Sequence, residues 1–250
     1  MKNYIIELCI EKQGNWNEIC KALLNKEYHT PNENTLKQSG IIVVEKEYPE
    51  RLKSTPRPPF CLFYRGNKDL LTSRNEKISF LDDYSRPDTQ EGIYNREEIL
   101  DNLPKNYICI AELKYGQHNK SLDRLKNLGR NEIIAICDCG IDLENPSVKY
   151  VIEHNGLVLS TTPESVKESN PETRTDSNVL LASLCDLLYV NELQSIGQET
   201  LMFALTNNHT CIATAPYSNF SSLRQNNILI KDGMEVVINV KDIENLLLKY

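Results

Sequence analysis

The chain has 250 residues, of which 40% are hydrophobic and 25% charged, and its formal net charge at pH 7 is −7. These values fit one ordinary globular domain with a small appendage, and they argue against a surface that clamps duplex DNA by bulk positive charge, although a local basic groove remains compatible with them. No run approaches the roughly 18–20 consecutive apolar residues of a membrane span, so we expect no membrane contact and a cytoplasmic location.

Helical spacing of apolar residues between Ile5 and Leu24 predicts helices within residues 1 to about 40, interrupted by the polar loop NKEYHTPNENT. A short strand and a turn are predicted for GIIVVEKEYPERL, and an extended segment for STPRPPFCLFYRGN. Residues 1–76 are therefore expected to form a small helical and extended N-terminal region.

From Lys77 to Tyr250, strand-like and helix-like segments alternate. Strands are predicted in KISFLDD, NYICIAEL, NEIIAICDC, GLVLST, CDLLYVNE, HTCIATAP and MEVVINV. Helices are predicted in REEILDNL, SLDRLKNLG, PSVKYVIEHNG, QETLMFALTNN and VKDIENLLLKY. This alternation predicts an α/β domain over residues 77–250, with a mostly parallel sheet and helices on both faces. Ligands of such sheets bind beyond the carboxyl ends of the strands.

The first of these strand-end loops lies within KISFLDDYSRPDTQEG. It contains Asp82 and Asp83 and has no glycine before the helix, whereas phosphate-binding loops at such junctions are usually glycine-rich. Its hydroxyl and guanidinium groups, on Ser85, Arg86 and Thr89, could hold a phosphate. The alternative is a capped turn that only begins a helix.

The cysteines and histidines give no sign of a metal centre. The eight cysteines are scattered, and several lie in apolar runs, so we expect reduced, packed thiols. Cys137 and Cys139 lack the two-residue spacing of zinc knuckles, and the four histidines are far apart in sequence. We expect no metal ion and no other cofactor.

No catalytic set can be proposed either. A dehydrogenase would need Gly-x-Gly-x-x-Gly in the first loop, and these glycines are absent. A nucleoside-phosphate hydrolase would need a glycine-rich motif followed by catalytic carboxylates or arginine, and Glu112 stands alone. No Ser-His-Asp or Cys-His arrangement has a recognisable spacing. We therefore expect a protein that is not an enzyme.

Several motifs occur together in one order. Tyr48-Pro49, Pro58-Pro59 and Leu62 to Asn67 come first, followed by the first loop, where Ser85, Arg86, Thr89 and Gly92 keep the spacing of Gly-Ser-Arg-x-x-Thr-x-x-Gly, with Tyr84 replacing the leading glycine. This order resembles the DprA/Smf DNA-processing proteins.

The resemblance continues along the chain, but several of the family's motif residues are replaced. Cys139-Gly140-Ile141-Asp142 matches the family's third loop, and Gln225 to Gly233 matches a later segment. The second loop keeps little beyond Leu113 and Gly116, Gly197 remains from a Ser-Gly-Ser element, and Asp176 to Val179 replace a basic run. No winged-helix tail, which some members carry, is expected after Tyr250.

The resemblance implies a Rossmann-like fold for residues 77–250 and a non-catalytic DNA-processing protein. The family binds single-stranded DNA, dimerises through its Rossmann-like domain and helps to load the recombinase RecA during transformation. Single-stranded DNA, a RecA-type recombinase and a second copy of this chain are thus the implied partners. The alternative is a diverged nucleotide-sensing or protein-interaction module that has lost DNA binding, which the missing basic run favours.

The candidate DNA- or nucleotide-binding residues are Ser85, Arg86, Thr89, Lys114, Gly116, Gly140, Asp142, Arg174, Gly197, Arg224, Asn227 and Lys231. The alternatives are fold geometry alone for the glycines, a loop-ending role for Asp142, and a solvated surface for the cations. Tyr115 and Tyr217 are the expected stacking partners for bases, unless they are ordinary loop tyrosines.

Overall fold

The computed structural model describes residues 1–27, 38–84, 87–193, 210–218 and 224–249. The strands are β1 (Gly40–Ile42), β2 (Cys61–Gly66), β3 (Lys77–Leu81), β4 (Ile108–Leu113), β5 (Ile134–Cys137), β6 (Leu157–Ser160), β7 (Leu187–Val190), β8 (Cys211–Thr214) and β9 (Glu235–Val236). The helices are α1 (Lys2–Glu11), α2 (Trp16–Leu24), α3 (Glu50–Lys53), α4 (Gln90–Asn102), α5 (Lys120–Asn127), α6 (Pro146–Glu153), α7 (Pro171–Ser183), α8 (Arg224–Lys231) and α9 (Val240–Leu247), and a 3-10 helix spans Lys68–Leu71.

The described strands form one sheet in the order β1-β2-β6-β5-β4-β3-β7-β8-β9. From β6 to β9 every neighbouring pair is parallel, whereas β2 pairs antiparallel with both β1 and β6. The sheet is therefore mostly parallel, as the sequence predicts. Because β1 and β2 extend the same sheet, residues 40–71, here called the lead-in segment, are joined to it by hydrogen bonds. The division into residues 1–76 and 77–250 stays a prediction.

The strands bury both faces because their side chains alternate between two apolar layers. On one face, Ile78 and Phe80 of β3 share a cluster with apolar residues of α4, α5, α6 and α9. On the other face, Ile108 and Ile110 of β4 share a cluster with α3 and α7. A third cluster packs α1 and α2 against β1 and β2. Helices on both faces are thus confirmed.

Local signals account for where the helices begin. The side chain of Asn145 accepts a hydrogen bond from Ser147 N ahead of α6, with Pro146 in the first turn. Asn170 and Thr173 form a reciprocal capping pair at the start of α7. None of the helices in the described ranges is long and apolar enough to cross a bilayer.

The structure corrects some predicted elements. The segment MEVVINV is a strand only over Glu235–Val236, because Asn239 caps α9 and the chain turns helical at Val240. The sequence interpretation missed α7 and α8. The first turns of α7 bury Thr173 and Ser177 and therefore lack an apolar stripe. The predicted helix QETLMFALTNN lies outside the described residues.

Candidate functional site

The strand order reverses at β3, which lies between β4 and β7. In open parallel sheets such a switch point opens a crevice beyond the carboxyl ends of the strands. Here we call this crevice, bounded by the residues that follow β3, β4, β5 and β7, the carboxyl-edge crevice. Polar residues that follow these strands and are buried are Asp82, Asp83, Asp138, Asn191 and Glu192.

A carboxylate of the chain itself occupies the N-terminus of α4. Glu192 accepts hydrogen bonds from the hydroxyl of Thr89 and from Thr89 N, which lies 3.1 Å from Oε2 and 3.3 Å from Oε1. The Thr89 hydroxyl in turn accepts from Gly92 N at 3.0 Å and caps the helix. Helix N-termini at switch points are where nucleotide phosphates bind, so Glu192 takes a position suited to a ligand anion.

Gly92 makes this arrangement possible. A Cβ atom at Gly92 would lie 2.3 Å from Cδ of Glu192, a separation that real atoms do not tolerate. The amide of Asn191 donates to Gly92 O at 3.0 Å and fixes the same turn. The glycine that matches the end of the family's first loop therefore makes room for an internal carboxylate.

A second group of charges lies beside the first loop. Asp88 forms ion pairs with Arg96 and Lys120, and Arg96 also lies 3.9 Å from Asp82. Burial by itself would raise the pKa of Asp88, but the hydrogen bond from Lys120 and the nearby Arg96 together lower it. Asp82 accepts from Ser121 N at 2.9 Å, and its pKa is raised by burial against the opposing charge of Arg96. These cations thus neutralise carboxylates of the protein.

A third group surrounds Glu112, which is 4% exposed. Its Oε1 lies 3.0 Å from Nζ of Lys114, and the same ammonium lies 4.1 Å from the ring centroid of Tyr84. Burial raises the pKa of Glu112 to about 7; Lys114 opposes the shift, whereas Asp82 and Asp138 add to it. Within the described part of the chain, Glu112 Oε2, Asp82 Oδ1 and the Tyr84 hydroxyl have no hydrogen-bond partner.

Three cations lie near Asp138 and Cys139, which follow β5. Burial raises the pKa of Asp138, and Lys114 and Arg174 both lie close enough to oppose that shift. Lys167 acts in the same way on Cys139, whose pKa burial raises to about 12. Lys167 and Arg174 are exposed. We call Lys114, Lys167 and Arg174 the β5 rim.

The structure assigns local roles to several sequence candidates. Thr89 caps α4, as the alternative of a capped turn that begins a helix predicts. Gly116 has φ +73°, in the region that favours glycine, and a Cβ at Gly140 would lie 2.2 Å from Pro163 O. Asp142 accepts from Glu144 N at 3.1 Å within its own loop, and its N–H donates to the Tyr115 hydroxyl at 2.7 Å.

Among the remaining candidates, the structure describes Asn227 and Lys231, and neither of them follows β3, β4, β5 or β7. The side chain of Asn227 binds the backbone of Tyr217 in the loop after β8. It accepts from Tyr217 N at 2.9 Å and donates to Tyr217 O at 2.5 Å. Lys231 ends α8, and a helix that follows a parallel strand returns to the amino ends of the strands, so Lys231 lies away from the crevice. Ser85, Arg86 and Gly197 lie outside the described residues, as does the side chain of Arg224.

The two proposed stacking tyrosines both pack against the apolar core. Tyr217 is 5% exposed and belongs to the apolar core, and Tyr115 packs against that core with its hydroxyl bonded to Asp142 N. The expectation that Tyr217 stacks on a base is therefore wrong, because its ring is buried in the core, whereas stacking by the partly exposed Tyr115 stays a prediction. Sequence reasoning also missed Glu192, which ends the predicted strand CDLLYVNE, and Lys167, which lies in the segment after the predicted strand GLVLST. Their positions at or after strand ends were the available signal.

Comparison with known proteins agrees with this architecture. The family model for DNA recombination-mediator protein A matches residues 39–248. DNA processing protein A from Streptococcus pneumoniae superimposes with a TM-score of 0.68 at 19% identity, covering 92% of this chain and 80% of that chain. Its counterpart from Helicobacter pylori, described for a unique mode of binding single-stranded DNA, gives a TM-score of 0.63 at 19% identity, covering 85% of this chain and 96% of that one.

No curated protein matches the chain. At these identities the solved structures establish the fold, which confirms the Rossmann-like prediction. The family match is the stronger result, because it covers the lead-in segment, the sheet and the closing helix α9. It also confirms the resemblance read from the motifs. The chain belongs to the DNA recombination-mediator protein A family.

Proposed function

We propose that this protein binds single-stranded DNA along the β5 rim and acts as a non-catalytic DNA-processing protein, without a cofactor, in the cytoplasm. The observation that carries this proposal is the family match over residues 39–248. The H. pylori relative, which binds single-stranded DNA, has the same fold. A homodimer that hands its DNA to a RecA-type recombinase completes the proposal.

The charge distribution favours the rim over the interior of the carboxyl-edge crevice. Inside, Glu192 occupies the N-terminus of α4, and Asp88 holds Arg96 and Lys120. A phosphate entering there would meet carboxylates at short range. At the rim, Lys167 and Arg174 are exposed, and lysine and arginine are the side chains that neutralise DNA phosphates.

For the candidates that lie outside the described residues, the proposal rests on their sequence. Ser85 and Arg86 match the family's first loop, and Gly197 matches its Ser-Gly-Ser element. Arg224 begins α8 after β8, and a helix that follows a parallel strand starts near the carboxyl edge. We propose that these residues contact the same strand of DNA as the β5 rim.

One observation favours a second candidate, a diverged module that senses a nucleotide or binds a protein. The carboxylates of the crevice pair with its own cations, as expected where selection for phosphate binding has relaxed. Glu192 argues against the nucleotide version, because it fills the position at α4 that a nucleotide phosphate would need. Of the two versions, protein interaction is therefore the stronger.

The test is a titration of labelled oligo-dT at two salt concentrations with the wild type, Lys167→Ala and Arg174→Ala. Each rim variant should bind about fivefold more weakly, and each should reduce the salt slope by about 0.7, because one phosphate contact is lost. Lys105→Ala is the matched control. Lys105 is exposed and precedes β4, so it lies at the amino ends of the strands and its removal should change nothing.

Salt-insensitive binding, or rim variants that bind as the wild type does, would refute the proposed interface. No binding to oligo-dT, together with a thermal shift caused by one nucleotide, would support the nucleotide-sensing alternative. The recombinase step is measured separately, as the rate at which a RecA-type protein assembles on DNA covered by a single-strand-binding protein. The wild type should raise that rate and Arg174→Ala should raise it less.

A further inference from the structure

One member of the β5 rim differs from the others, because Lys114 turns into the protein. Its ammonium lies 3.0 Å from Oε1 of Glu112 and 4.1 Å from the ring centroid of Tyr84, and its side chain is 14% exposed. Lys167 and Arg174 are exposed. A lysine held between a carboxylate and an aromatic face is already neutralised, and it can reach a phosphate only by leaving both.

The pairing of Glu112 with this lysine leaves part of the buried carboxylate unsatisfied. Its Oε2 has no hydrogen-bond partner in the described part of the chain, although the residue is 4% exposed. Asp82 and Asp138, which follow β3 and β5 on either side of β4, add negative charge at the same place. Buried carboxylates that outnumber their cations disfavour one another's ionised forms.

The charged groups around Glu112 come from each neighbouring element. From the loop after β3 come Asp82 and the Tyr84 hydroxyl, which has no hydrogen-bond partner among the described residues. Arg96 of α4 and Lys120 of α5 lie next to Asp82 and Tyr84, but Asp88 pairs with both cations. From α7, Arg174 faces Asp138, which follows β5. Lys114 is thus the cation paired directly with Glu112 in the described residues.

We propose that Glu112 is a positioning residue that withholds Lys114 from DNA, and that single-stranded DNA binds more tightly once Glu112 has lost its negative charge. The inference rests on the proposed function and adds a control of affinity to it. Protonation of Glu112 leaves Lys114 without its counter-ion, so that the ammonium can move outward to a phosphate. One proton is bound at the Glu112 carboxyl for each lysine released.

The direction of the pH effect follows from burial. Because burial raises the pKa of Glu112 to about 7, the carboxyl changes its charge near neutral pH. Affinity for single-stranded DNA should then rise as the pH falls from 8 to 6. A coupling of one pKa unit between proton and phosphate corresponds to about a tenfold change in Kd.

The experiment measures Kd for labelled oligo-dT at pH 6, 7 and 8 and constant ionic strength. The wild type should bind about tenfold more tightly at pH 6 than at pH 8. Glu112→Gln should bind at pH 8 as tightly as the wild type does at pH 6, and its Kd should be independent of pH. Lys114→Met should bind weakly at every pH, and its Kd should also be independent of pH.

Two controls isolate the effect. Glu132→Gln removes a carboxylate that lies at the opposite edge of the sheet and bonds Asn155, and it should keep the wild-type pH profile. His118, in the loop before α5, has an exposed imidazole that pairs with Asp123 of α5. His118→Gln removes this imidazole and should keep the wild-type pH profile as well. A His118 variant without pH dependence would overturn the assignment to Glu112.

The outcomes separate the inference from the proposed function. If no protein binds oligo-dT at any pH, both fail. If the wild type binds and Glu112→Gln shows the same pH dependence, the inference alone fails. Should Glu112→Gln not fold, as judged by circular dichroism, Lys114→Met decides, because a retained tenfold pH effect without this lysine contradicts the mechanism.

Discussion

The two edges of the sheet stabilise buried charge in different ways. At the amino ends of the strands, the buried Arg130 donates to the carbonyl oxygens of Leu103 at 2.8 Å, Pro104 at 2.5 Å and Tyr107 at 2.9 Å. At the carboxyl ends, Arg96, Lys114 and Lys120 pair with carboxylates. Backbone carbonyls do not titrate and carboxylates do, so the contacts of Arg130 cannot respond to pH, whereas the paired carboxylates at the carboxyl ends can.

This difference shows which edge serves the fold and which can serve a ligand. A guanidinium that donates hydrogen bonds to neutral carbonyls holds the start of β4 against the turn before it. It does not exchange these partners for ions in solution. Cations paired with carboxylates can exchange those partners for phosphates. Mutations should therefore act mainly on stability at the amino edge and on both stability and binding at the carboxyl edge.

The largest expected effect is at the amino edge. Arg130→Met should lower the free energy of unfolding by about 4 kcal/mol, because three backbone carbonyls lose a charged donor. The loss should be the same at pH 5 and pH 8, since the partners do not titrate. Urea denaturation measures it, with the exposed Arg74→Met as the control, for which the change should stay within about 0.5 kcal/mol. A pH-dependent loss in Arg130→Met would contradict the comparison.

The next effect is a coupling at the carboxyl edge. Gly92→Ala should cost about 2–3 kcal/mol, because the new Cβ would lie 2.3 Å from Glu192 Cδ. In the background of Glu192→Ala the same change should be neutral or stabilise by up to ~1 kcal/mol, as alanine favours a helix. Thermal and urea unfolding of the double-mutant cycle give the coupling free energy. Equal costs in both backgrounds would show that Glu192 does not occupy the N-terminus of α4.

The smallest effect depends on pH. Glu112 has a raised pKa in the folded state, so its contribution to stability is full below about pH 4.3, the value of the unfolded chain, and disappears as the pH rises through about 7. Glu112→Gln lacks this loss. Relative to the wild type, its free energy of unfolding should increase by about 2 kcal/mol between pH 5 and pH 8. A constant difference in denaturation free energy over that range would mean that Glu112 titrates normally.

Much of the fold could be predicted because it is encoded locally. Buried parallel strands give continuous apolar runs, and the strands from KISFLDD to HTCIATAP were found in this way. The elements that were missed have weaker local signals. In α7 the buried face begins with Thr173 and Ser177, and α8 begins with the polar run RQNN.

The site was harder to predict, because its contacts are distant in sequence. The sequence indicated the carboxyl ends of the strands but gave no reason to place Glu192 on Thr89. It also suggested that Tyr217 stacks on a base, whereas tertiary packing places that ring in the core. The direction of a side chain at a strand end depends on its neighbours across the sheet, and a single sequence does not contain that information.

The antiparallel pairing of β2 with β6 has a consequence for biosynthesis. Phe63 pairs with Ser160, so the lead-in strand has to wait for a partner that the ribosome makes much later. Until then β1 and β2 form a short two-stranded ribbon, which is marginal on its own in water. We expect the N-terminal segment to remain accessible to chaperones and proteases on the nascent chain, and to become protected only after the central parallel strands have assembled.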